Sequence, residues 1–128
     1  MVNAGHLRVR AERAGVVCVL SVSGELDFLS AEDFTQRARR LVDERAERLV
    51  LDLSGLRFTD CAGTRALAGV AAMVSAGCPV IVRSARPAVR RILELMDLES
   101  VLLAGRTLRA QDGTLMLALP QSAARAAR

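Results

Sequence analysis

The sequence predicts an α/β fold, one domain in which a mixed β-sheet of four to five strands packs against three to four helices. Three observations predict it. Apolar residues recur with strand period in short runs and with helical period in longer ones, in the order ββαβαβαβ. The later strands are separated by connections too long for hairpins, which calls for helical crossovers. Hydrophobic residues make up 52% of 128 residues, enough for one core, and no internal repeat or linker divides it. The domain is expected over residues 1–120, with a mobile tail over 121–128.

The elements follow in order. Leu7-Arg8-Val9-Arg10-Ala11-Glu12 alternates like a half-exposed strand. Ala14-Gly15 then turns the chain into a more apolar strand over 16–22, so the two form a hairpin near a sheet edge. Ser30 stands at an N-cap position, with Glu32 and Asp33 in the first turn to complement the helix dipole. Phe34, Ala38, Leu41 and Val42 repeat at helical spacing, and the opposite face is a solvated charge face. Leu49-Val50-Leu51-Asp52-Leu53 is a compact apolar run, the pattern of a central parallel strand covered on both faces. A loop over 54–60 leads to a helix over 61–76, ended by Gly77 with Pro79 just beyond. Residues 79–82 form a strand. Residues 86–96 form a helix with Pro87 in its first turn and Val89, Ile92, Leu93 and Met96 on one face. Residues 101–103 form a last strand, and the run 115–119 is too short to assign between strand and helix.

Composition removes several functional classes. All 18 basic residues are Arg, against 14 acids and one His, a net charge of 18 − 14 = +4. Residues 1–48 carry eight Arg and eight acids, 49–85 three and two, and 86–128 seven and four. Acids are thus interleaved with arginines in a mixed solvated surface, and direct nucleic-acid binding is not expected. Aromatic residues are only 2%, three Phe with no Trp or Tyr, which leaves no stacking platform for single-stranded nucleic acid and no interfacial belt for a membrane. The longest uncharged run, residues 66–82, has 17 residues, short of the roughly 20 that span a bilayer. Cys18, Cys61 and Cys78 are an odd number at wide spacing with no zinc pattern, so a cytoplasmic protein with free thiols and no metal or cofactor is expected. No Walker-type loop and no Ser-His-Asp set is present, so the chain is not expected to be an enzyme. Asp27, Asp52 and Asp60 sit at turns or a strand end, where capping is their ordinary role.

The informative stretch is 49–76, in which only Asp52, Arg57, Asp60 and Arg65 are charged. Its helix is apolar almost all round, so it is either wholly buried or turns an outer face of small residues to a partner. Thr59-Asp60-Cys61-Ala62-Gly63-Thr64 lies at its start, where unpaired amides favour an anionic group. Asp60 reads as the N-cap. Gly63 either lets another backbone approach closely or is simply tolerated in the first turn.

Residues 49–63, Leu-Val-Leu-Asp-Leu-Ser-Gly-Leu-Arg-Phe-Thr-Asp-Cys-Ala-Gly, resemble the signature of STAS domains, the anti-sigma factor antagonists. There an apolar strand and Asp-Leu-Ser are followed by an apolar-rich loop and Asp-Ser-Ser-Gly or Asp-Ser-Thr-Gly. Gly24-Glu25-Leu26-Asp27 matches the family's Gly-Glu-Leu-Asp before its first helix, and residues 86–103 are similar to its late helix and strand. The resemblance spans about residues 6–104. It implies a protein that binds an anti-sigma factor of the serine-kinase type, releases a sigma factor and so promotes transcription.

One position departs from the family. The serine that the kinase phosphorylates corresponds to Ala62, preceded by Cys61. Phosphorylation adds nearly two negative charges at a docking surface, and Ala62 has no oxygen to accept the group. Thr59 and Thr64 are weak substitutes: Thr64 lies two residues further along the helix, which rotates an acceptor by roughly 200°, and Thr59 lies three residues before Ala62. The expected partner-binding residues are Gly24, Asp27, Thr59, Asp60, Cys61, Ala62, Gly63, Thr64 and Leu67, on the outer face of the 61–76 helix, the 54–60 loop and the 24–27 turn. A homodimer is compatible with this reading. Two alternatives stand beside it: a STAS subunit of a stressosome-like or lipid-transport complex, and a thiol-based redox sensor acting through Cys61, since a thiol at a helix N-terminus is readily oxidised.

Overall fold

The computed structural model describes residues 6–75, 77–96, 106–109 and 115–118. The expected strand over 101–103 and the tail over 121–128 lie outside the described residues. The elements run β1 (Arg8–Ala14), β2 (Val17–Leu26), α1 (Ala31–Leu41), β3 (Arg48–Thr59), α2 (Cys61–Val70) with a 3-10 turn at Ala71–Met73, β4 (Pro79–Arg83), α3 (Pro87–Leu95), β5 (Arg106–Arg109) and β6 (Leu115–Ala118). They make the expected α/β domain. Four strands form the body of the sheet, and the short β5 and β6 extend its β4 side in the order β1-β2-β3-β4-β6-β5.

The hairpin forms as the alternation predicts. Ala14 pairs with Val17 across a two-residue turn in which Gly15 takes φ 63°, a left-handed conformation that favours glycine. Parallel pairing of β2 with β3 and of β3 with β4 follows from the α1 and α2 crossovers. The run 49–53 is therefore central, as expected. Its two faces are not covered alike. Leu49, Leu51 and Leu53 join one core with Leu20, Val22 and Leu26 of β2, Phe34 and Ala38 of α1, Leu67 and Val70 of α2, and Val89 and Leu93 of α3. All three helices thus cover a single face. On the other, Val50 is buried outside that core while Ser54 is exposed, so among the described residues the strand expected to be covered on both faces is covered fully on only one.

Three further expectations are corrected. Residues 54–59 are strand rather than loop: β3 continues to Thr59, pairing Ser23 with Gly55, Gly24 with Leu56, Glu25 with Phe58 and Leu26 with Thr59. Two register shifts in this stretch break the strict alternation by which a strand is recognised in sequence. The second helix stops as an α-helix at Val70 and tightens into the 3-10 turn. Gly69 and β-branched Val70 weaken its last turn, and the tighter winding carries Ala71 and Val74 into the core. Ser30 stands at the N-cap of α1 but makes no side-chain cap bond, for a reason found in the turn before it.

Candidate functional site

The site forms at the end of the sheet to which parallel β2 and β3 both point. Because Leu26 pairs with Thr59, the 24–27 and 59–64 segments, 32 residues or more apart in sequence, become neighbours. Asp27 shapes the first turn. Its Oδ1 accepts from the Leu29 and Ser30 N–H groups and from Ser30 Oγ, each at 3.1 Å, while the Asp27 N–H donates to Ser30 Oγ at 3.1 Å. This is a reciprocal box of the capping kind, and it occupies the hydroxyl expected to cap α1.

Asp60 joins the two turns. Its Oδ1 accepts from the Gly63 N–H at 2.8 Å, the N-cap bond of α2, and its Oδ2 accepts from the Phe28 N–H at 3.0 Å. Its own N–H donates to the Leu26 carbonyl at 3.3 Å. Gly63 is required by close approach: a Cβ there would lie 2.2 Å from the Leu26 carbonyl oxygen and 2.4 Å from Thr59 Oγ1. Gly24, at φ 96°, is buried where a Cβ would overlap the His6 carbonyl oxygen at 1.4 Å. These glycines build the site from beneath.

The residues singled out in the sequence divide by exposure. Thr59, Thr64 and Leu67 are buried at 2%, 0% and 3%, so as folded they offer no surface to a partner and the two hydroxyls no access to a kinase. Thr64 Oγ1 has no hydrogen-bond partner among the described residues. Cys61 is exposed and Ala62 partly so, and Cys61, Arg65, Gly69 and Ala72 make one exposed stripe flanked by Ala62, Ala66 and Met73. The outer face of α2 thus carries small side chains around one arginine, Arg65.

Three residues were not singled out. Phe28 is 69% exposed, Leu29 64% and Phe58 49%, and all lie at this end of the sheet, the first held to Asp60 through its backbone. The usable signal was scarcity: of three Phe in the chain, two flank the motifs where no periodic pattern buries them.

Asp52 takes no part in this end. Partial burial pushes its carboxyl up, but the Ser54 N–H at 3.0 Å and the Arg83 guanidinium at 3.0 Å outweigh burial and hold it below its ordinary value. Asp27, Asp52 and Asp60 thus form no cluster, and no metal-binding group occurs among the described residues. Of the thiols, Cys18 and Cys78 are buried. Burial pushes the Cys78 thiol up against the opposing bond from the Leu49 backbone. Among the described residues no helix is long and apolar enough to cross a membrane.

The STAS domain family model matches residues 8–114. This chain belongs to the STAS domain family. Within it, the chain is 29% identical over 83 residues to the anti-sigma-F factor antagonist RsfB of Mycobacterium tuberculosis, covering 65% of this chain and 68% of that protein. The crystal structure of an anti-sigma factor antagonist from Mycobacterium paratuberculosis superposes with a TM-score of 0.63 at 29% identity, over 76% of this chain and 83% of the other. The unphosphorylated anti-sigma factor antagonist SpoIIAA shares the fold, with a TM-score of 0.55 at 19% identity over 73% and 84% of the two chains. In this STAS domain the family signature ends at the start of α2, where Asp60 ties the two turns together.

Proposed function

We propose that this STAS domain is an anti-sigma factor antagonist that captures an anti-sigma factor of the serine-kinase type and thereby frees a sigma factor. The observation that carries the reading is the exposure of Phe28, Leu29 and Phe58 at the end of the sheet where Asp60 caps α2, a helix whose outer face carries small side chains around Arg65. Exposed rings and a helix face of mostly small side chains with one arginine fit a protein partner rather than a small substrate. The relatives named as anti-sigma factor antagonists support the same role.

The switch is altered in this reading. Ala62 stands where the family carries its phosphoacceptor, so the domain stays in the binding-competent form and is not expelled by a kinase. Thr59 and Thr64 cannot replace it while buried. The test mixes the protein with its cognate anti-sigma kinase and ATP. A stable complex without phosphate incorporation is expected, and Ala62→Ser is expected to acquire label and lose affinity. Absence of any complex would overturn the partner, and labelling of the unsubstituted protein that survives replacement of Thr59 and Thr64 would overturn the lost switch.

A further inference from the structure

The face of the sheet opposite α1, α2 and α3 carries a basic hollow. Arg8 pairs with Ser23 and Ser23 with Gly55, while Arg10 pairs with Ser21 and Ser21 with Asp52. Three strands therefore lay down two adjacent rows on one face, with neighbouring strands about 4.8 Å apart. The hollow exists because of a bulge. Between the Ser21–Asp52 and Ser23–Gly55 pairs β2 advances by two residues and β3 by three, and the extra residue turns Ser54 and Gly55 successively to this face. Gly55 has no room for a side chain, since a Cβ would lie 2.6 Å from Ser23 Cβ. The result is a floor of three serines and a glycine beneath a cavity of about 380 Å³.

Its lining carries a net positive charge. Arg8 and Arg10 line the cavity, and neither is ion-paired among the described residues. Two more arginines bond lining residues from outside the cavity: Arg83 donates to Asp52 Oδ2 at 3.0 Å, and Arg86 Nε donates to the Ser54 carbonyl at 3.0 Å. Asp52 is the one carboxylate in the lining, and its Oδ1 and Oδ2 already accept from the Ser54 N–H and Arg83. The Ser21 and Ser23 hydroxyls donate to no protein group among the described residues. Guanidinium forks with free hydroxyl donors are the set that phosphoryl oxygens recruit, and the arginines disfavour a cation.

We propose that this hollow binds a small phosphate-bearing molecule, with Arg8 and Arg10 gripping the phosphate and Ser21 and Ser23 donating to it. The volume suits one or two phosphoryl groups with a small organic part. The proposal does not depend on what the docking surface binds.

The experiment is an amide NMR titration of the full chain with inorganic phosphate and then pyrophosphate, at ionic strength held constant with chloride. Saturable shifts confined to Ser21, Ser23, Ser54, Gly55 and their β1 neighbours are expected. The exposed pair Arg8→Ala/Arg10→Ala should weaken binding at least about tenfold, while Arg90→Ala/Arg91→Ala should leave it unchanged, thermal melts confirming that each variant folds. Ser21→Ala/Ser23→Ala preserves charge and should still weaken binding several-fold. Chloride reproducing the shifts, both arginine pairs weakening binding equally, or the serine pair having no effect would each overturn the site. So would tighter binding of longer single-stranded oligonucleotides in proportion to length, which would make the face a polyanion track.

Discussion

Asp60 accepts one hydrogen bond from the helix it caps and another from a turn 32 residues earlier. Removing both acceptors costs more than an ordinary cap, so Asp60→Ala should lower the unfolding free energy by about 2 kcal/mol, read from urea midpoints. Asp60→Asn keeps a carbonyl acceptor and should lose less. Its place after an apolar run and before a helical one made the cap legible in sequence. The bond to the Phe28 N–H was not, because it depends on β2 and β3 lying side by side. Asp52 offers a pH test. Its folded carboxyl lies below its ordinary value, so its contribution is fully present above the unfolded pKa near about 4 and is lost as pH falls through the lower folded pKa. Asp52→Asn should therefore cost up to about 1 kcal/mol at pH 7, since Arg83 is half exposed, and the gap from wild type should close as pH falls below about 4. Denaturant titrations at pH 7 and in that acid range read both.

The elements show how one helix can serve two purposes. In α2 the glycines at 63 and 69 differ only in what surrounds them. Gly63 is pressed against the Leu26 carbonyl, whereas nothing lies within 4 Å of a Cβ at Gly69. Gly69→Ala should therefore raise stability by about 0.5–1 kcal/mol through helix propensity. Gly63→Ala should lower it by about 2 kcal/mol or more, because backbone must shift. Paired thermal melts separate them. The start of the helix was legible from its capping residue, as were the hairpin and the central strand from period and composition. Its early tightening at Ala71 and the extension of β3 through residues 54–59 were not. Both arise where tertiary packing overrides local pattern, the first by drawing Ala71 and Val74 inward and the second through two register shifts.

At the scale of the molecule, the exposed rings can be separated from the core. Phe34 is fully buried, while Phe28 and Phe58 stand in solvent. Phe28→Ala/Phe58→Ala should leave the melting temperature within a few degrees, since little buried area is lost. If the proposed docking surface is correct, the same pair should weaken capture of the anti-sigma factor by at least about tenfold. Calorimetric binding beside a thermal scan decides it, and equal affinity with both rings removed would move the docking surface elsewhere.

The sequence by itself determined the α/β class, the central place of residues 49–53 and the two signature segments, because periodicity, turn chemistry and capping are local and survive in one dimension. Only the tertiary structure decided which residues face outward. Parallel pairing of Leu26 with Thr59 brought the segments together, buried Thr59, Thr64 and Leu67 beneath them, and left Phe28, Leu29, Phe58 and Cys61 outside. Exposure is a property of what lies across from a residue, and in this sheet its neighbours across the strands come from segments about 30 residues away in the chain.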